Sequence, residues 1–154
     1  DADSRRDLVF NPRYHDVDGL IETVAPGVLD HTNLNAVAKT IQNTITISPT
    51  LERYVLDIWS AVREPAANDI VVPGVNMQHL VSGGASPRGM SYLMRAARVS
   101  AWLQGRDSVM PEDMRDIFYE TMAHRIFLEP VYEMRREEIV RDLIAAGFGK
   151  VPAP

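Results

Sequence analysis

The stretch Gly83-Gly84-Ala85-Ser86-Pro87-Arg88 points most directly to chemistry. Two glycines give a pliable lead-in. Ser86 is a side-chain cap for the free N–H groups of a helix start, and Pro87 suits the first helical position. Arg88 then falls on the opening turn. A cation is mildly disfavoured there, by about 0.3–1 kcal/mol, because a helix start already carries partial positive charge. No acid relieves it locally: Gly84 and Ala85 precede at i−4 and i−3, and Ser91 and Tyr92 follow at i+3 and i+4. A phosphate would satisfy both the arginine and the helix start. From these six residues alone, a plain surface arginine after an ordinary Ser-Pro start is the expected reading.

Other chemistries find less support. Gly149-Lys150 lacks the upstream glycine and the following Ser or Thr of a phosphate-binding loop, which argues against nucleotide hydrolysis by this chain alone. His15-Asp16-Val17-Asp18 offers three metal-ligand types but no second ligand group, so a polar loop is expected there. Glu120 and His124 sit at i, i+4, where a solvent-facing ion pair or hydrogen bond is expected rather than a metal pair. No metal site is expected. No serine occupies a Gly-x-Ser-x-Gly elbow. Glu137-Glu138 reads as a solvated helix face, and the doublets Arg5-Arg6 and Arg135-Arg136 are offset by neighbouring acids.

Composition narrows the field further. The 154 residues are enough for one domain with a core, and 45% are hydrophobic. A net charge of −5 argues against nucleic-acid or anionic-membrane binding, and the link Arg106–Met110 is too extended for a helix-turn-helix. Without cysteine there is no thiol chemistry, which fits a reducing cytoplasm. No stretch is long and apolar enough to span a bilayer, and no signal peptide is visible. The first residue is Asp1, not methionine, so a fragment of a longer protein is expected.

The elements that must position Arg88 can be read from periodicity and breakers. Ser4 caps a short helix over Arg5–Phe10 that Asn11-Pro12 ends, and a turn or two of helix falls within Val17–Val24. Thr32 opens a helix to about Asn43, with Leu34, Val37, Ala38 and Ile41 inward. Ser48-Pro49 opens the next, with Leu51, Val55, Leu56, Ile58 and Trp59 as its stripe, and Pro65 closes it. A Gly-, Asn- and Pro-rich loop covers about 66–85, long enough to be mobile or functional, with Ile70-Val71-Val72 as a candidate strand. The Arg88 helix runs from Pro87 to about Gln104, burying Met90, Leu93, Met94, Ala97 and Ala101, and Gly105 ends it. Pro111 opens another helix, with Glu112 and Asp113 suited to its dipole and Met114, Ile117, Phe118, Thr121 and Met122 inward. A last helix covers about Val131–Ala146, capped by Gly147 and followed by the tail Val151–Pro154. The expected fold is all-α: a bundle-like domain of about five or six helices with little or no strand.

Several segments in order resemble a known family. They are Gly84-Ala85-Ser86-Pro87-Arg88, Leu93-Met94-Arg95-Ala96-Ala97, Leu103-Gln104-Gly105-Arg106-Asp107, Val109-Met110-Pro111-Glu112-Asp113 and His124-Arg125. Together they resemble the C-terminal lid domain of MoxR-type AAA+ ATPases. Upstream, Val28-Leu29, Ile47-Ser48, Leu51–Tyr54 and Val62-Arg63 fit the same lid, and the end from Glu138 to Pro152 is similar to the end of those proteins. Met110 stands where the family usually has a capping threonine. The resemblance implies that 1–154 is a lid with a helical tail, from a parent whose upstream core carries the P-loop and the Mg²⁺ site. It implies ATP as cofactor, with Ser86, Pro87 and Arg88 at the nucleotide and Arg88 as the "sensor 2" arginine. It further implies a hexamer that helps mature or activate other protein complexes, often with a von Willebrand A-domain partner. A stand-alone helical interaction module is the alternative from a different class.

Overall fold

The computed structural model of the chain describes residues 2–14, 16–23 and 31–154. Two compact units divide it, Asp1–Asn35 and Ala36–Pro154. In the first, α1 spans Ala2–Phe10, a 3₁₀ turn covers Pro12–Tyr14, and α2 spans Val17–Glu22. Helix α1 takes in Ser4 instead of starting from it, with Asp3 supplying the acid of its first turn. At the head of α2, the Asp16 carboxylate accepts the Gly19 N–H at 3.0 Å. His15 and residues 24–30 lie outside the described residues, as do the expectations placed on them.

The second unit holds the core. Helix α3 (Leu34–Thr44) reaches it only at its end: Ile41 is buried, while Leu34 and Val37 are exposed. Helix α4 (Pro49–Arg63) starts as expected, with the Ser48 hydroxyl accepting the Leu51 N–H at 3.1 Å. It buries Leu51, Tyr54, Val55, Ile58, Ala61 and Val62 and turns Leu56 outward.

The stretch after α4 is pinned rather than loose. Asn68 donates to the carbonyls of Ser60 and Glu64 at 3.1 and 2.9 Å, and Ile70, Val72 and Leu80 are buried. Ile70-Val71-Val72 is not a strand. Left-handed backbone at Asp69 (φ 52°) and Gly74 (φ 73°) brackets it, so Ile70 and Val72 plug the core without a ladder. The strand is instead β1 (Val81–Gly83), antiparallel to β2 (Phe127–Leu128), with Val81 opposite Leu128 and Gly83 opposite Phe127. It leads directly into α5.

Helix α5 (Pro87–Leu103) packs on α6 (Pro111–Met122), and α7 (Arg136–Lys150) packs on α4 and α6. Gly105, at φ 72°, ends α5 in the way its position predicts. The link to α6 is tied down by α3's neighbour Thr46, which donates its N–H to Asp107 at 2.8 Å and accepts from Val109 at 3.0 Å. Ile58, Leu93, Phe118 and Leu143, one from each of these helices, are fully buried at the centre.

Gly147 does not cap the last helix. Helix α7 begins later than expected, after a 3₁₀ turn over Pro130–Arg135, and runs through Gly147 to Lys150. A Cβ at Gly147 would sit 3.2 Å from Val62 and 3.9 Å from Ala61, so the glycine leaves room for α4 to pack against α7. Seven α-helices and one two-stranded ribbon among the described residues make the mostly helical architecture expected.

Candidate functional site

The start of α5 is assembled from four segments. Helix α4 supplies Trp59, whose indole N–H donates to the Ala85 carbonyl at 2.9 Å. It also supplies Arg63, whose stem lies against Gly84. A Cβ there would come within 2.9 Å of the Arg63 Cγ, so the chain can pass this close only as glycine. The Arg63 guanidinium in turn stacks 5.6 Å from the Trp59 ring centre. Behind this anchor, Ala85 is buried, and the Ser86 hydroxyl accepts the Gly89 N–H at 3.3 Å with Pro87 as the first helical residue. The cap and the proline are thus as the sequence predicts.

Arg88 follows and is exposed. The first turn of α5 carries no acid, and among the described residues no carboxylate lies within ion-pair distance of Arg88. One turn further on, half-exposed Tyr92 has two arginines over its ring: Arg95 at 5.8 Å and Arg125, from the 3₁₀ turn after α6, at 5.6 Å. Gly89 is buried against the Arg125 stem and Ala85, and a Cβ there would meet Arg125 Cδ at 3.1 Å. The cluster is cationic on a chain whose net charge is −5.

Sequence reasoning placed Ser86, Pro87 and Arg88 correctly in the local structure but missed Trp59 and Arg125. Trp59 counted there as one more stripe residue. A half-buried indole needs an acceptor for its N–H, and that was the available signal, but not where the acceptor lay. Arg125 had no signal beyond its membership in the His124-Arg125 pair.

The other candidate groups are structural. Asp113, placed by sequence as a helix-dipole acid, is fully buried. It receives both terminal nitrogens of Arg106 at 2.6 Å, the Ser100 hydroxyl at 3.0 Å and the Met110 N–H at 2.8 Å. Burial pushes its carboxyl up. The Arg106 hydrogen bonds, the Met110 and Ser100 hydrogen bonds and the Arg106 charge together outweigh that and hold it below the usual carboxylate range. This carboxylate does the capping that the Met110 thioether does not, and clamps the end of α5 to the start of α6. Glu120 and His124 are not paired: α6 stops at Met122, which takes His124 off the helical register. Glu137 and Glu138 pair with Arg141 and Arg135 on a solvated face. Among the described residues no group of three His, Asp or Glu side chains is arranged to hold a metal.

Residues 76–143, which take in the ribbon, the Ser-Pro-Arg helix start and α6, match the family model for the AAA lid domain. Over its whole length the chain is 56% identical to Protein MoxR of Methylorubrum extorquens, spanning 45% of that protein. It is 47% identical over 147 residues to Protein MoxR of Paracoccus denitrificans, spanning 96% of this chain and 43% of that one. The crystal structure of a candidate ATPase from Cytophaga hutchinsonii superimposes with a TM-score of 0.62 at 28% identity, covering 75% of this chain and 34% of that one. The chain belongs to the MoxR family of AAA+ proteins, and the AAA lid match falls on its residues 76–143. It spans less than half the length of the curated relatives it matches.

Proposed function

We propose that this domain senses nucleotide for a MoxR-type AAA+ ATPase through Arg88. The observation that carries the reading is an exposed, acid-free arginine on the first turn of a capped helix whose approach is anchored by Trp59. The residues suit a polyphosphate. Ser86 and Pro87 fix the helix start, and Arg88 offers a planar fork of donors free of any internal carboxylate. ATP, when bound between this lid and an ATPase core, supplies the phosphoryl group that is hydrolysed, and the core holds the Mg²⁺. Arg88's part is to stabilise charge on the phosphates and to report their presence to the lid. Loss of the contact on hydrolysis frees the lid to rotate, and around a hexameric ring that motion becomes remodelling of a client. The client is a protein complex in need of maturation or activation, reached with a von Willebrand A-domain partner, in the cytoplasm.

Arg88→Ala in the full-length protein tests this. ATP turnover is expected to fall by about ten- to a hundredfold with the thermal unfolding curve unchanged. Unaltered turnover removes Arg88 from the mechanism. The reading also requires a P-loop and an acidic Mg²⁺ motif encoded ahead of Asp1. Their absence would favour a stand-alone interaction module.

A further inference from the structure

Arg125 stands out once Arg88 is assigned. It is half-buried, yet among the described residues it has no carboxylate partner. Withdrawing a guanidinium from water without a counter-ion is unfavourable, so an unpaired one held in place invites an external anion. Its position is fixed on three sides. The stem packs on Gly89, where any side chain would crowd it at 3.1 Å. Its Nε–H donates to the Thr121 carbonyl at 3.3 Å. Its guanidinium lies 5.6 Å from the Tyr92 ring centre. The terminal nitrogens, which carry the remaining donors, make no hydrogen bond among the described residues. Gly89 is the neighbour of Arg88 in sequence, and Tyr92 is one helical turn from Arg88 on the same face of α5. Side chains on a helix lean toward its N-terminus, so Tyr92 leans toward Arg88 and carries Arg125 with it.

We propose that Arg125 is a second cation for the polyphosphate that Arg88 contacts, pre-positioned by Gly89, Thr121 and Tyr92. This rests on the nucleotide reading above. The two arginines divide the work by their tethering. Arg88 is free to move with the phosphates, whereas Arg125 is already oriented and loses little freedom on binding. Arg95, which also lies over the Tyr92 ring but stands a further turn from Arg88, is not part of the site.

The test uses the full-length protein, a non-hydrolysable ATP analogue with Mg²⁺, and ADP. Arg125→Gln is expected to weaken analogue binding by about tenfold or more, as Arg88→Ala does. In the double variant the loss should be smaller than the product of the two, because both groups serve one ligand. Analogue affinity within about twofold of the parent in Arg125→Gln, alongside a clear loss in Arg88→Ala, overturns the role of Arg125 and leaves the nucleotide reading standing. No loss in either variant overturns both. Because Arg125→Gln also disturbs packing, phenylglyoxal labelling of the unmodified protein gives an independent readout. The analogue should shield Arg88 and Arg125 but not Arg95. Equal labelling of Arg125 with and without nucleotide refutes the proposal. So does an Arg125 that never reacts, since its fork would then not be open to an anion.

Discussion

Asp113 and Arg106 show how much can rest on one pair of side chains. The carboxylate is fully buried and has four hydrogen bonds, so removing it leaves Arg106, Ser100 and the Met110 N–H without their acceptor. Asp113→Ala is expected to destabilise the fold by about 2–3 kcal/mol, toward the low end for a buried pair because Arg106 retains some solvent. Urea unfolding measures it. The pH dependence follows from the depressed carboxyl. The pair's contribution is complete above the unfolded carboxyl's pKa, at about 4, and disappears as pH falls through the lower folded value. In Asp113→Ala that acid-side loss should be missing from a stability–pH profile. Sequence showed an acid in a first turn and no more. That it reaches back to an arginine seven residues earlier depends on how α5 and α6 cross, which local spacing does not state.

At the scale of elements, glycines separate what sequence reveals from what packing decides. Gly105 was legible as a helix stop because its left-handed backbone is a local demand. Gly147 looked the same and is the opposite, a mid-helix residue selected by contact with α4. The two ends of α7 therefore make contrasting predictions for thermal unfolding. Gly147→Val should cost about 1–3 kcal/mol through overpacking against Val62. Gly149→Ala, with nothing near its Cβ, should gain about 0.5 kcal/mol from helix propensity. The start of α5 belongs with Gly105: Ser86, Pro87 and Arg88 were readable since a cap, a proline and a charge act within one turn. The ribbon Val81–Gly83 was not, because its partner lies over forty residues on, at Phe127–Leu128.

For the molecule as a whole, the isolated chain should hydrolyse no ATP. It has no phosphate-binding loop, and in the proposed function its cations at α5 act on a nucleotide held by another domain. A phosphate-release assay with excess Mg-ATP checks this, and measurable turnover would require chemistry that the residues described here do not supply. Nucleotide affinity of the isolated chain should likewise be weak and fall as salt is raised, since exposed charges provide it.

The indole of Trp59 has a mechanical consequence. By gripping the Ala85 carbonyl it ties the residue just ahead of α5 to helix α4. Helix α5, about 25 Å long, is clasped at its far end by Asp113, while α4 is seated against α7 through Gly147. The start of α5 is therefore tied through these contacts to α4 and α6, and through α4 to the last helix.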